Sequence, residues 1–161
     1  MADPSFCPQC GGRLAPRKTD DRERLACTAC SYVHYDNPTP VVAAIVEMGD
    51  SVVLVRNKGW PEKWLGLVTG FLERGESPDA AVLREVKEEL GLDAQLVSLI
   101  GAYGFAEMNQ VIIAYHLRAS GEIVLGDELE SHKLVRVEKL QPWPFGTGKA
   151  VADWLAARRA G

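Results

Sequence analysis

Glu85, Glu88 and Glu89 stand at i, i+3 and i+4, a spacing that on a helix gathers three carboxylates along one side. Like charges so placed repel by about 0.2–0.5 kcal/mol per exposed pair. A sequence selected for helix stability alone would mix signs there. A hard divalent cation removes the conflict, since Mg²⁺ prefers carboxylate and water oxygens and is often shared with substrate phosphates. The bare triplet also fits a solvated acidic face, so the surrounding residues carry weight. Arg84, four residues before Glu88, can grip a carboxylate bidentately, and Glu76 is a second candidate partner for it. A different chemistry is written into the cysteines. Cys7 and Cys10 form one C-x-x-C pair, Cys27 and Cys30 another. Two such knuckles can bring four thiolates to the corners of a tetrahedron around Zn²⁺. A zinc with four sulfur ligands has no open position, so it would fold the module rather than catalyse. Disulfides and redox-active pairs compete with this reading. A reducing compartment disfavours the first, and the lack of a thioredoxin-like pattern the second.

The elements that position these groups can be placed from patterning. Ser77 suits a helix N-cap, Pro78 the first helical position and Gly91 a left-handed stop, giving a helix over Ser77–Leu90. Val82, Leu83, Val86 and Leu90 share its apolar face. Val41–Val46 is a continuous, largely β-branched run that fits a strand buried on both faces. Ser51–Arg56 reads as its hairpin return, followed by a short apolar stretch over Trp64–Phe71. Further strands are expected over Leu96–Tyr103, Gln110–Arg118 and Leu134–Val137, and a final amphipathic helix over Thr147–Arg159. Pro38 and Pro40 block helix and favour extended chain, which sets a domain boundary between 1–36 and 37–161.

The chain has 161 residues, of which 18 are Lys or Arg and 22 are Asp or Glu, for a formal net charge of −4. That balance argues against a duplex-DNA binder, which needs clustered excess cation. The sequence contains neither an apolar run long enough to span a membrane nor a secretory pattern at its start, so a cytoplasmic location is expected. Residues 1–36 carry five basic and five acidic side chains, so the charged run Arg17–Arg24 reads as a solvated hairpin tip rather than a nucleic-acid contact. His34, His116 and His132 show no ligand spacing and are read as packing or surface residues.

Residues 70–92 resemble the Nudix box, G-x5-E-x7-R-E-U-x-E-E-x-G-U with U a bulky aliphatic residue. Gly70, Glu76, Arg84, Glu85, Val86, Glu88, Glu89, Gly91 and Leu92 match every specified position. The resemblance implies an α+β protein with the Nudix fold, an α/β/α sandwich around a mixed sheet, preceded by a small zinc ribbon. It implies Mg²⁺- or Mn²⁺-dependent hydrolysis of the pyrophosphate in a nucleoside diphosphate joined to another group. It also implies Glu85, Glu88 and Glu89 as metal ligands, oriented by Arg84 and Glu76, with metals neutralising phosphate oxygens and activating water. A further glutamate often serves such proteins as ligand or base. The candidates here are Glu128, favoured for its place before a strand, and Glu107 in the Gly104–Asn109 loop.

The ribbon followed by Tyr35-x-x-Pro38 is similar to the NADH pyrophosphatase branch and to related zinc-ribbon FAD or ADP-ribose hydrolases. This makes NAD(H), FAD or ADP-ribose the favoured substrates, with AMP released. That branch carries S-Q-P-W-P-F-P-x-S soon after the box, whereas Gln141-Pro142-Trp143-Pro144-Phe145 stands here before the last helix and reads as a helix-entry segment. Trp64, Phe71, Tyr103, Phe105 and Glu107 are candidate substrate contacts; Trp60, Trp64, Tyr103 and Phe105 are expected in loops, where rings can stack on a base or pack in the core. Nucleoside triphosphate sanitation is the alternative reaction, and an RNA- or protein-binding ribbon beside a residual Nudix domain the alternative class. Homodimers are common in the resembled family, so a homodimer fits the resemblance.

Overall fold

The computed structural model describes residues 4–160. The chain forms two compact units, Met1–Asn37 and Pro38–Gly161. In the first, β1 (Leu14–Thr19), β2 (Arg22–Cys27) and β3 (Val33–His34) make an antiparallel sheet. Asp20 and Asp21, at φ 51° and 60°, close the β1–β2 hairpin. Two successive left-handed residues match the twist of the flanking strands, and Asp tolerates that conformation better than most residues.

In the second unit β4 (Thr39–Met48), β5 (Ser51–Asn57), β6 (Val68–Phe71), β7 (Gln95–Phe105), β8 (Gln110–Arg118) and β9 (Leu129–Arg136) form one sheet. Its order is β7-β8-β4-β5-β9, with β6 also paired to β4. β4 and β8 run parallel and the other pairs antiparallel, so the sheet is mixed. The unbroken apolar run of β4 has its reason in what covers the sheet. Val42, Ala44 and Val46 pack with Val82, Val86 and Leu90 of α1 (Pro78–Leu90), while Ala43 and Ile45 pack with Val151, Trp154 and Leu155 of α2 (Gly148–Ala160). Alternation along one strand feeds two cores, one under each helix. The unit is an α/β/α sandwich.

The far end of β4 carries a charge that its apolar surroundings do not announce. Glu47 is buried, and its carboxylate meets His116 Nε2 at 2.9 Å, Arg118 Nε at 3.3 Å and Arg158 Nη1 at 2.6 Å. Burial alone would raise the Glu47 pKa, but the hydrogen bond from His116 and the two arginines bring it below the usual carboxylate range. Burial lowers that of His116, so a neutral imidazole donates Nε2–H to an ionised carboxylate. Arg158 belongs to α2, so this network ties the last helix to the sheet.

Four expectations need correction. The strand expected over Leu134–Val137 begins at Leu129, and Val137–Lys139 is a 3-10 turn. β9 is an edge strand, largely exposed, and so lacks the apolar alternation that marks a strand in sequence. Tyr103 and Phe105 lie in β7 rather than a loop, paired with Ile112 and Gln110. Gly104 is also in β7, so Glu107 occupies a 3-10 turn, Ala106–Met108, rather than a loop from Gly104. Finally, Ser77 has the extended backbone of an N-cap but makes no capping bond to the helix amides. Its hydroxyl bonds the Asp79 carboxylate instead and helps hold that carboxylate below its usual range.

Candidate active site

Arg84 organises the loop before α1 and three carboxylates at once. Its Nε and Nη2 donate to the two oxygens of Glu76 at 2.9 and 3.0 Å, and Nη1 donates to Glu85 at 2.7 Å and Glu88 at 3.0 Å. Nη2 also reaches the Phe71 carbonyl at 3.2 Å, which fastens β6 to the helix. Of the two candidate partners Glu76 takes the bidentate grip, its two oxygens matching the guanidinium fork, while Glu88 takes a single bond. Arg84 holds the Glu76 carboxyl below its usual range. Glu76 in turn accepts the Glu73 N–H at 3.3 Å, and Gly75 at φ 85° supplies the left-handed turn between them.

The three helix carboxylates differ sharply in environment. Glu88 is 58% exposed, Glu85 mostly covered, and Glu89 only 6% exposed. The arc of carboxylates is thus half sunk into the protein rather than a solvated acidic face. Segment 124–128 lies across the end of α1, where the Val124 and Gly126 amides donate to the Leu90 and Glu89 carbonyls at 2.9 Å each. Burial, then the charges of Glu85, Glu128 and Glu88, push Glu89 up to about 8. Burial also raises Glu85, which Arg84 only partly offsets. No ion pair reaches Glu89 among the described residues. A buried carboxyl crowded by acids and without a cationic partner fits a divalent cation, which would replace the proton.

Gly70 is where the sheet and this cluster touch. A Cβ there would overlap the Glu85 carboxylate, so only glycine leaves room for it. The neighbouring residue, Thr69, faces the other side of β6 and lines a cavity of about 550 Å³. Trp60, Trp64, Phe105, Trp143 and Phe145 line it too, with Lys63 at its wall. The Trp64 and Phe145 rings lie 6.1 Å apart at 48°. Of the residues nominated for substrate contact, Trp64 and Phe105 meet there. Phe71 is 60% exposed and is not part of that lining. The Tyr103 hydroxyl is committed to Asp153 of α2 at 2.7 Å. Glu107 is exposed, and Glu128, not Glu107, is among the charges that act on Glu85 and Glu89. Trp143 and Phe145 were readable as aromatic residues of the Q-P-W-P-F segment, but their place on the cavity wall follows from the entry into α2.

In the ribbon unit the four cysteines are free thiols whose sulfurs lie within 4.8 Å of one another. The Ala29 N–H, supported by Cys10 and Cys30, draws Cys27 down to about 6 against the effect of burial. Cys30 goes the other way: the Tyr32 N–H lowers it, but burial and the facing thiols push it up to about 12. Four sulfurs that close cannot all ionise without a cation, and an all-sulfur donor set is that of structural zinc. Among the described residues no other group of three or more potential ligands closes as tightly, since Glu85 and Glu88 are both drawn onto Arg84 Nη1.

Comparison with known proteins agrees with this geometry. The family model described as NUDIX domain matches residues 37–154, and the one described as Nudix N-terminal matches residues 5–36. A Pseudomonas aeruginosa protein named NAD-capped RNA hydrolase NudC is 31% identical over 97% of this chain, and one of the same name from Pseudomonas putida is 29% identical. This chain spans 57% of the length of either relative. A crystal structure of a NUDIX hydrolase from Nitrosomonas europaea superposes with a TM-score of 0.83 at 25% identity, covering 98% of this chain and 93% of that one.

Proposed function

From a chain that belongs to the Nudix family and carries that family's N-terminal ribbon, we propose a divalent-metal-dependent hydrolase of phosphoanhydrides. Its favoured substrates are dinucleotides such as NAD(H), FAD or ADP-ribose, with AMP as one product. The relatives named NAD-capped RNA hydrolase extend the same chemistry to an NAD-capped RNA. The observation that carries the reading is Glu89, buried, raised to about 8 and crowded by Glu85, Glu88 and Glu128, with no counterion among the described residues.

In this reading Glu85, Glu88 and Glu89 hold Mg²⁺ or Mn²⁺, and Cys7, Cys10, Cys27 and Cys30 hold Zn²⁺. The divalent cation supplies charge neutralisation at the phosphate oxygens and a lowered pKa for water. Arg84 keeps Glu85 and Glu88 oriented and, through Glu76 and the Phe71 carbonyl, keeps the loop closed against the helix. Glu128 is our choice over Glu107 for the group that takes the proton from attacking water, supported by its electrostatic influence on Glu85 and Glu89. Trp64, Phe105, Trp143 and Phe145 offer faces for an aromatic ring of the substrate, within a cavity sized for a nucleoside. Unpaired thiols suit a reducing compartment, which supports a cytoplasmic location. No helix among the described residues is long and apolar enough to cross a membrane.

The test is incubation with Mg²⁺ and a panel of NADH, FAD, ADP-ribose and nucleoside triphosphates, with products identified by mass. The expected result is AMP from a dinucleotide. Release of inorganic pyrophosphate from triphosphates alone would replace the substrate class, and no turnover of any compound would remove the hydrolase reading.

A further inference from the structure

The neutral charge count of the ribbon conceals a segregation that the strand register reveals. Directly opposed residues of an antiparallel pair share a face, and faces alternate along each strand. Arg17 opposes Arg24, Thr19 opposes Arg22 and Ala15 opposes Ala26, so three arginines occupy one face of β1–β2. Arg13, two positions before Ala15, bridges Phe6 and lays its guanidinium 5.7 Å from that ring's centroid. Two of the ribbon's carboxylates lie elsewhere, and Asp36 stands 3.9 Å from His34 Nε2. Glu23 opposes Lys18 on the other face, and Asp21 sits in the turn paired with Lys18 at 3.5 Å. Among the described residues no ion pair engages Arg13, Arg17, Arg22 or Arg24.

Aromatic rings border the same arginines. The Arg24 guanidinium stacks 4.7 Å from the Tyr35 ring centroid and donates Nη1–H to the Tyr35 carbonyl at 3.3 Å, which holds the ring in place. Tyr35 is 47% exposed and Phe6 57% exposed. Unneutralised guanidiniums interleaved with fixed, accessible rings are the recognition chemistry of a single-stranded polynucleotide: phosphates meet the cations and unstacked bases meet the rings. A protein partner would need acidic and apolar complementarity in a defined shape, while a duplex buries the base faces that the rings require. We propose that the Arg13–Arg17–Arg22–Arg24 face of the ribbon, with Tyr35 and Phe6, binds single-stranded RNA. The choice of RNA among polyanions rests on the reading above, in which a capped RNA is a substrate.

The experiment uses the full chain and an uncapped single-stranded RNA of roughly 12 nucleotides, so binding is read by fluorescence anisotropy without hydrolysis. Arg17→Ala/Arg22→Ala is expected to raise Kd about tenfold and to flatten the plot of log affinity against log salt by about 1.4, the share of two phosphate contacts on a single strand. Tyr35→Leu is expected to raise Kd about tenfold while leaving that slope unchanged, as loss of base stacking should. Lys18→Ala, on the opposite face, should change affinity less than about twofold. Turnover of free NADH by the arginine variant should equal that of the parent protein, which separates failure of this surface from failure of the hydrolase reading. Zinc content and thermal midpoint verify the fold. If the alanine pair does not fold, Arg17→Gln/Arg22→Gln takes its place. The proposal is overturned if RNA binds the variant as tightly as the parent, if the parent does not bind RNA, if Lys18→Ala is equally damaging, or if duplex RNA of the same sequence competes equally.

Discussion

Glu89 ionises near 4.5 in an unfolded chain, yet holds its proton to about 8 in the fold. Between those values the native state binds more protons than the unfolded one, so in the absence of a divalent cation this residue makes stability fall as pH rises. Glu89→Gln should remove that contribution: its thermal midpoint is expected to exceed the parent's by an amount that grows from about pH 5 to 8. Mg²⁺ or Mn²⁺ should raise the parent's midpoint at the alkaline end and leave the variant's nearly unmoved. Differential scanning fluorimetry at stepped pH, with and without metal, reads both effects. Gly70→Ala tests the steric contact from the other side. Its Cβ would displace the Glu85 carboxylate, and a shift of about 1 Å in such a group is expected to cost about 100-fold in turnover with the fold retained. The spacing of the three glutamates was legible in sequence because helical geometry fixes it. The burial of one of them was not, because it depends on segment 124–128, far along the chain. Glu47 was missed for a similar reason: one acid at the end of an apolar strand gives no signal until His116, Arg118 and Arg158 arrive from other elements.

At the scale of elements, α1 and β6 behave as one part, because Arg84 spans the loop between them and closes on Phe71 and Glu76. Arg84→Lys keeps the charge but loses the fork. It is expected to lower turnover by one to two orders of magnitude, about 1.4–2.7 kcal/mol of transition-state stabilisation, measured as kcat/KM at saturating Mg²⁺. The opposite end of β4 makes a contrasting prediction. Glu47→Ala strips the shared acceptor from His116 and Arg158 and leaves the buried His116 N–H unpartnered, so stability should fall by about 1–3 kcal/mol in chemical unfolding. Activity per folded molecule should stay near that of the parent, because this network sits away from Glu85 and Glu89. Helix and strand limits were legible where punctuation or burial on both faces is strong, as for α1, with Pro78 and Gly91 at its ends, and for β4 and β8. They were not legible for β9, whose polar outer face hides its period, nor for the end of β7, where Gly104 looks like a loop residue but sits in the ladder with Val111.

At the scale of the whole molecule, the two units have different sources of stability. The larger one buries two apolar cores around a single sheet; the smaller one has few buried side chains and depends on its thiols. Purified protein is expected to contain about one zinc per chain. Cys30→Ser should lower that content and remove the ribbon's protection from proteolysis, while the larger unit keeps its own unfolding transition, seen as a second step in calorimetry. The two-unit organisation was legible from the cysteine pairs and the proline-bearing joint, whereas the arginine face of the ribbon was not, since a charge count is blind to which side of a strand a residue occupies. The central claim concerns the carboxylates, and its most direct test is a titration of Mn²⁺ into the protein, followed by electron paramagnetic resonance of the free ion. The account predicts saturable Mn²⁺ binding that releases protons near neutral pH and disappears in Glu89→Gln, with the ribbon zinc retained. Mn²⁺ binding that is equal in the parent and Glu89→Gln, or no binding in either, would contradict it.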